Sequence, residues 1–221
     1  MRPIPIVALD VSSTSQALDL LRRLGPRAEW VKVGLQLFCA AGPEVVRALH
    51  GEGRRVFLDL KFHDIPNTVA RAVESARELG VAMLTLHTSG GAAMLRAARE
   101  ALGSTGPKLF AVTVLTSLEA GPDEVIRRSE TAFEAGMDGV VASVHEAEHI
   151  RRNFGHDLAI LSPGIRLVGG AAHDQARVAT PAEAARAGVD YVVLGRAVTE
   201  GSDPAARLAE VCSEFETFED E

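Results

Sequence analysis

The sequence predicts an α/β fold built as a single (β/α)₈ TIM barrel. Apolar segments of strand length alternate with amphipathic segments of helix length along the whole 221-residue chain. Most strand segments are continuously apolar, as expected of strands that are covered on both faces of a parallel sheet. Eight such segments leave about 28 residues for each β/α unit, which fits a compact barrel. A doubly wound open sheet shares the alternation, and the number of strands favours the barrel.

Each strand is predicted from a short apolar run, and each helix from apolar residues that recur every three or four positions. The predicted strands are Ile4–Val11, Trp30–Val33, Val56–Leu60, Met83–His87, Leu109–Leu115, Gly139–Ala142, Ala159–Leu161 and Tyr191–Leu194. The predicted helices are Ser15–Leu24, Pro43–Gly51, Thr68–Leu79, Ala92–Leu102, Asp123–Glu134, Glu146–Phe154, Pro181–Ala187, a short helix opening at Gly195-Arg196, and Asp203–Cys212. The acidic tail, Ser213–Glu221, is expected to fray in solvent.

Three of these helices are predicted to end in the same way. Gly80, Gly136 and Gly188 each follow the last helical residue and precede an apolar strand. A glycine at this position adopts the left-handed conformation that caps a helix and turns the chain. No linker, low-complexity tract or change of composition divides the chain, so residues 1–221 are expected to form one domain.

The composition excludes several classes of function. A net charge of −7 argues against a nucleic-acid-binding surface. The longest uncharged apolar runs are far shorter than the roughly 20 residues that span a bilayer. The first residues lead straight into a strand and carry no signal-peptide pattern, and two cysteines, Cys39 and Cys212, are too few for a disulfide framework. We therefore expect a cytoplasmic protein with neither membrane nor nucleic acid as a partner.

The third predicted strand carries the most informative polar residues. Asp59 and Lys61 are two positions apart, so in an extended chain their side chains point to the same face, and Asp64 follows where the strand has ended. Carboxylate neighbours favour a protonated Lys61, which suits a general acid better than a Schiff-base lysine. A structural ion pair across the barrel mouth accounts for the spacing equally well, and the spacing alone leaves both interpretations open.

Other strand ends add polar groups to the same rim, because the active site of a barrel forms at the carboxyl ends of its strands. Asp10 follows the first strand and Lys32 lies in the second. Arg166 follows the seventh strand, and Gly195-Arg196 follows the eighth, the usual phosphate end of a barrel. Backbone N–H groups together with two arginines suit a phosphate dianion, although Arg196 could instead bridge loops.

Metal and cofactor sites are disfavoured by the sequence. His63, Asp59 and Asp64 could supply metal ligands, but strand geometry does not converge their side chains, and Lys61 between them would repel a cation. The chain contains neither a Walker-type phosphate loop nor a G-x-G-x-x-G dinucleotide motif. We therefore expect no metal and no cofactor.

The residues from Phe57 to Thr68, Phe-Leu-Asp-Leu-Lys-Phe-His-Asp-Ile-Pro-Asn-Thr, resemble the signature of the orotidine 5′-phosphate decarboxylase family, in its bacterial branch. Other segments that agree in order are Ala8-Leu9-Asp10, Val31-Lys32-Val33-Gly34-Leu35, Thr113-Val114-Leu115-Thr116-Ser117, Pro163-Gly164-Ile165-Arg166, Asp174-Gln175 and Leu194-Gly195-Arg196. The resemblance covers essentially the whole chain. It implies a TIM barrel that decarboxylates orotidine 5′-phosphate to UMP and CO₂ in pyrimidine biosynthesis without a cofactor.

The resemblance also implies roles for individual residues. Asp10 and Lys32 would hold the ribose hydroxyls and order a charge network. Asp59 would lie against the substrate carboxylate, and Lys61 would deliver a proton. The remaining implied contacts are Thr116, with Ser143 nearby, on the pyrimidine side, Arg166, Gln175, Gly195 and Arg196 on the phosphate, and Asp64 and Thr68 in the site of the neighbouring subunit of a homodimer.

The chemistry of the implied reaction agrees with these roles. Loss of CO₂ from C6 leaves a carbanion in the plane of the pyrimidine, where conjugation does not spread the charge. Without a cofactor, the stabilisation must be electrostatic, and the ammonium of Lys61 can then protonate C6.

Three rival functions remain open. A Mg²⁺-dependent 3-keto sugar-phosphate decarboxylase of the same wider family would use the Asp-x-Lys-x-x-Asp arrangement that Asp59, Lys61 and Asp64 also satisfy. The continuation from Ile65 to Thr68 favours the orotidine branch. A phosphate-binding barrel isomerase would need a base at the rim, and a non-catalytic barrel would bind UMP without turning anything over.

Overall fold

Eight parallel strands close into a barrel, which confirms the predicted fold class. The computed structural model describes residues 2–103, 105–116, 118, 121–166 and 178–216. The strands pair in chain order from β1 to β8, and β8 pairs back with β1. The strands are β1 Ile4–Ala8, β2 Trp30–Gly34, β3 Arg55–Phe62, β4 Met83–His87, β5 Lys108–Val112, β6 Gly139–Val141, β7 Ala159–Ser162 and β8 Tyr191–Leu194.

Helices cover the outside of this barrel and bury the outer faces of the strands. They are α1 Thr14–Leu24, α2 Leu35–Ala41, α3 Glu44–Gly51, α4 Pro66–Glu78, α5 Gly91–Leu102, α6 Pro122–Glu134, α7 Val144–Phe154, α8 Pro181–Arg186, α9 Arg196–Thr199 and α10 Pro204–Glu216, with a 3₁₀ helix at Thr88–Gly90. In the described part of the chain, none of the helices combines the length and the apolar character that a bilayer crossing requires.

The predicted glycine caps are confirmed. Gly80, Gly136 and Gly188 have φ values of 74°, 75° and 72°. Two of these turns lead to an aspartate that anchors the next strand. Asp138 accepts a hydrogen bond from the Leu109 N–H at 2.7 Å, and Asp190 accepts one from the Ile160 N–H at 2.6 Å. Each carboxylate therefore ties the start of one strand to its neighbour.

Aromatic side chains close the amino end of the barrel. Tyr191, at the start of β8, meets Trp30 edge-on with ring centroids 5.9 Å apart and Phe110 with centroids 5.6 Å apart. Lys108 donates to the Tyr191 hydroxyl at 3.0 Å. Phe57 is buried above this layer and forms part of the floor of a cavity. The barrel interior is thus packed at one end and open at the carboxyl end.

Several element boundaries differ from the prediction. β1 and β5 are three residues shorter at their ends, because the apolar run continues into loops where Leu9 and Val114 remain buried. Helix α2 was not predicted, since its run from Leu35 to Ala41 has no polar face that would mark a helix. Helix α10 continues to Glu216 because Phe215 is buried, so residues 213–216 belong to the helix rather than to a frayed tail. Residues 217–221 lie outside the described part.

Candidate active site

A cavity of about 1090 Å³ opens at the carboxyl end of the barrel. Its walls combine the ends of β1, β2, β3, β7 and β8 with the loops that follow them. The predicted site residues that line it are Asp10, Lys32, Asp59, Lys61, Thr116, Arg166, Gly195 and Arg196. These side chains are far apart in the chain and meet because the strands are parallel and closed into a ring.

Two lysines and two aspartates form a chain of ion pairs along one wall, here called the four-charge cluster. The Nζ atom of Lys32 lies 2.9 Å from Oδ1 of Asp10 and 3.8 Å from Oδ2 of Asp59. The Nζ atom of Lys61 lies 2.8 Å from Oδ1 of Asp59. Positive and negative groups alternate, so each buried charge has an opposite charge beside it, which offsets the free energy of removing it from water.

The four charges differ in their access to the cavity. The side chains of Lys32 and Asp59 are 11% and 14% exposed, whereas those of Lys61 and Asp10 are 32% and 58% exposed. Lys32 is thus held between two carboxylates, and Lys61 is the more exposed of the two ammonium groups. A bound molecule can reach Lys61 more readily than Lys32.

Strand β3 is irregular where it carries the cluster. Leu58 pairs with Leu84 and Phe62 with Leu86, so three residues of β3 lie opposite Thr85 alone. Lys61 adopts φ = 52°, the one positive value among the described residues other than glycine. The expectation of an extended chain at Lys61 was therefore wrong in its backbone conformation. The side chains of Asp59 and Lys61 nevertheless lie on the same side and form an ion pair.

The loops that follow β7 and β8 bring arginines to the cavity. Arg166 is buried, and its backbone N–H donates to the carbonyl of Ala179 at 2.9 Å. This hydrogen bond belongs to a short bridge between Ile165 and Ala179. Gly195 directly precedes α9, and Arg196 is the first residue of that helix. Three arginines, Arg23 of α1 together with Arg166 and Arg196, thus line the same cavity as the four-charge cluster.

Three predicted residues in the described part of the chain do not line this cavity, and a fourth cannot be placed. Asp64 is exposed and accepts a hydrogen bond from the Ile65 N–H at 2.7 Å, and Thr68 is exposed in the first turn of α4. Ser143 is buried as the N-cap of α7, where its backbone N–H is bound by Glu146, so it does not line the described cavity. Gln175 lies outside the described residues, as does the rest of 167–177.

Two histidines stack beside the site. The rings of His63 and His87 have centroids 5.9 Å apart, and Nδ1 of His87 lies 2.6 Å from the Ser89 hydroxyl. In the described part of the chain, no group of three or more His, Cys, Asp or Glu residues is arranged to hold a metal ion. Burial lowers the pKa of His87 below its ordinary value of 6.5, and the nearby charges of His63, Arg128 and Lys61 lower it further.

The lowered pKa of His87 makes stability depend on pH. The unfolded chain binds this proton more readily than the folded protein, so the free energy of unfolding should fall as the pH drops below about 6.5. NMR titration of the imidazole protons should give a pKa below 6.5 for His87. His63→Asn should raise that pKa, because it removes a neighbouring positive charge, whereas the exposed-site variant His156→Asn should leave it unchanged. Titration of His87 at or above 6.5 would contradict the assignment.

Comparison with known proteins places the chain in a family. The model of the orotidine 5′-phosphate decarboxylase / HUMPS family matches residues 3–211. The chain belongs to this family. The orotidine 5′-phosphate decarboxylase of Sodalis glossinidius is 47% identical, with 96% of this chain and 89% of the relative covered. That of Klebsiella pneumoniae is 48% identical, with 92% and 89% covered.

Solved structures agree with the family assignment. The crystal structure of orotidine 5′-phosphate decarboxylase from Lactobacillus acidophilus superposes with a TM-score of 0.86 at 36% identity, covering 97% of this chain and 99% of that one. A crystal structure of an uncharacterised conserved protein from Geobacillus kaustophilus gives a TM-score of 0.84 at 33% identity, with 96% and 99% covered.

Sequence reasoning missed three residues around the site of this orotidine 5′-phosphate decarboxylase family member. Thr85 binds Asp59, Gly34 lies against Lys32, and Gln16 lines the cavity and accepts from the Ser12 N–H at 3.0 Å. A signal existed for Thr85, since it is the polar residue within the otherwise apolar run that leads to His87. Gly34 had none, because what matters there is a missing side chain.

Proposed function

We propose that this protein is an orotidine 5′-phosphate decarboxylase, which forms UMP and CO₂ in pyrimidine biosynthesis without a metal or cofactor. The observation that carries the proposal is the four-charge cluster, with Lys61 as its more exposed ammonium, in one cavity with Arg166 and Arg196. Such a cavity offers a phosphate dianion two guanidinium groups and offers a developing carbanion a fixed ammonium. The names of the relatives agree with this assignment.

The proposed reaction has two steps in which the protein takes part. The phosphate is held by the two arginines, and the carboxylate on C6 is directed toward Asp59, whose negative charge disfavours the bound substrate relative to the transition state. The bond from C6 to the carboxylate carbon breaks, CO₂ leaves, and the electron pair stays on C6. The ammonium of Lys61 then donates its proton to C6 and gives UMP, and the lysine regains a proton from solvent.

The experiment that tests the proposal follows the ultraviolet absorbance of orotidine 5′-phosphate with purified protein and excess EDTA. Conversion to UMP is expected, and it would exclude the Mg²⁺-dependent sugar-phosphate decarboxylase as the alternative. An unchanged absorbance, with folded protein that binds UMP, would reject the proposed function and favour a binding protein. The reaction should be absent in a matched preparation of a Lys61→Ala variant.

Arg196→Ala should weaken UMP binding on the order of 10- to 100-fold, because a charge-assisted hydrogen bond to the phosphate is lost. Binding of uridine, which has no phosphate, should change by less than about twofold. Isothermal titration calorimetry with both ligands measures the difference. Equal losses for UMP and uridine would contradict a phosphate role for Arg196.

Gly34→Ala should lower kcat on the order of 10-fold while the protein stays folded. A Cβ atom at this position would lie 2.9 Å from the Nζ of Lys32 and 3.5 Å from Oδ1 of Asp10. The φ of Gly34 is −96°, which alanine readily adopts, so the cost falls on the position of the Lys32 ammonium rather than on the backbone.

A double-mutant cycle separates this effect from a general one. In a Lys32→Ala background the ammonium is absent, so Gly34→Ala should have no further effect on kcat. Gly51→Ala is the matched control, because a Cβ there meets nothing within 4 Å. Additive losses in the double variant would reject the steric explanation.

We also propose a cytoplasmic homodimer in which Asp64 and Thr68 reach the site of the other subunit. Both side chains are exposed and do not line their own cavity, which is compatible with this arrangement. Leu35 and Ile65 follow neighbouring strands and are 56% and 67% exposed, which is typical of apolar side chains that a partner covers. The cytoplasmic setting is supported by two free cysteines.

A further inference from the structure

Thr85 lies on β4, opposite the segment of β3 that carries the ion pair between Asp59 and Lys61. Its side chain is fully buried in β4. The hydroxyl donates to Oδ1 of Asp59 at 3.0 Å and accepts from the backbone N–H of Lys61 at 2.9 Å. The Nζ of Lys61 binds the same Oδ1 at 2.8 Å. One hydroxyl therefore contacts both members of the pair.

The direction of these hydrogen bonds follows from the groups involved. A backbone N–H can only donate, and an ionised carboxylate can only accept. The hydroxyl oxygen therefore accepts from the Lys61 N–H through a lone pair and donates its single proton to Asp59. The directions of the two hydrogen bonds cannot be reversed. Valine has nearly the same shape and can make neither bond.

The backbone of Lys61 gives this contact its importance. A left-handed conformation at a residue with a side chain is unfavourable and persists only where the surroundings hold it. The irregular pairing of β3 leaves three residues opposite Thr85, so the N–H of Lys61 turns to a side chain instead of a ladder carbonyl. The Thr85 hydroxyl satisfies that N–H at the point where the φ of Lys61 is 52°.

We propose that Thr85 is a positioning residue, whose hydroxyl fixes the left-handed backbone of Lys61 and one carboxylate oxygen of Asp59 and thereby sets where the ammonium lies in the cavity. Thr85 does not line the cavity and acts through the two residues that do. The effect on turnover rests on the proposed decarboxylation, whereas the effect on the geometry of Lys61 does not.

The test compares Thr85→Ala with Thr85→Ser, which differ from each other by the hydroxyl alone. Thr85→Ala should lower kcat for orotidine 5′-phosphate on the order of 10- to 100-fold and change KM by less than about threefold, because the arginines that we assign to the phosphate are unchanged. Thr85→Ser should restore kcat to within about threefold of the unchanged protein. Similar kcat values for the two variants would overturn the proposal.

Thr113→Val is the control for loss of a buried hydroxyl. Thr113 follows β5, is fully buried, and donates to the Val141 carbonyl at 2.8 Å without contact to the four-charge cluster. Thr85→Val and Thr113→Val should both lower the melting temperature, because each removes a buried hydroxyl. Thr113→Val should nevertheless leave kcat within about twofold of the unchanged protein. An equal fall in kcat for both valine variants would assign Thr85 a structural role only. If Thr85→Val does not fold, the alanine and serine pair carries the comparison.

A crystal structure of Thr85→Ala gives a result that does not depend on activity. Lys61 should leave the left-handed region, and its Nζ should move away from Asp59. An unchanged φ and ion pair would overturn the proposal even if kcat falls. If the unchanged protein fails to decarboxylate orotidine 5′-phosphate, the proposed function is rejected, and the crystal structure still decides the role of Thr85.

Discussion

Lys61→Ala should lower kcat for orotidine 5′-phosphate by at least about 10³-fold, because the proton donor and the fixed positive charge are lost together. The Nζ of Lys61 belongs to the more exposed ammonium of the four-charge cluster and lies 2.8 Å from Asp59. Neighbouring Lys32 is not expected to substitute, since its side chain is only 11% exposed and lies between the carboxylates of Asp10 and Asp59. UMP binding should remain measurable, because the two arginines that we assign to the phosphate are unchanged.

The measurement combines single-turnover kinetics with calorimetric binding of UMP. Lys108→Ala is the matched control, since Lys108 is the third lysine of the chain and donates to Tyr191 at the opposite end of the barrel. This variant should keep kcat within about twofold once it is shown to be folded. Near-normal turnover in Lys61→Ala would reject Lys61 as the proton donor.

The positions of the charged residues could be predicted from the sequence because a general rule of the fold determines them. Parallel strands in a closed barrel bring their carboxyl ends together, so Asp10, Lys32 and Asp59 had to meet once eight strands were recognised. The two-residue spacing also predicted that Asp59 and Lys61 share one side, and they do, although the extended backbone behind that prediction does not hold at Lys61. The topology was therefore sufficient to predict which strand ends meet.

The conformation that joins these groups could not be predicted in the same way. The left-handed backbone of Lys61 depends on pairing with β4 and on the hydroxyl of Thr85, 24 residues further along the chain. Thr85 is marked as the polar residue of an apolar run, but a threonine in a strand is ordinary, because β-branched residues favour strands, and its partner Asp59 is not indicated by that signal. The role of Gly34 could not be predicted either, because its contribution is the space that it leaves beside Lys32.

Asp64 and Thr68 show where the rule that strand ends form the site stops applying. They follow β3 closely, but the chain has by then left the barrel wall and begun α4 at Pro66. Their side chains are consequently exposed instead of lining the cavity beside Lys61. Proximity in sequence to a strand end therefore does not by itself bring a side chain into the cavity, and the homodimer proposed above would give these residues a site to reach.

Mixing Asp64→Asn and Lys61→Ala proteins should regenerate about a quarter of the activity of the unchanged protein, although each variant alone is inactive. In a mixed dimer one site contains both substitutions, whereas the other combines an intact Lys61 with an intact Asp64 from the partner. Random exchange makes half of the dimers mixed, and each of these has one functional site of two. Turnover is measured after co-refolding, with the mixed dimer quantified by native mass spectrometry.

The control for this experiment mixes the Lys61→Ala protein with the Lys32→Ala protein. Both lysines line the same cavity of the same chain, and each of them forms an ion pair with Asp59. A mixed dimer of these two variants has one defective lysine in each site, so no activity should return. Recovery with Asp64→Asn but not with Lys32→Ala would therefore locate Asp64 in the partner's site. If neither mixture regains activity although mixed dimers are present, the shared site is rejected. Asp64 would then be a surface residue of the loop that precedes α4.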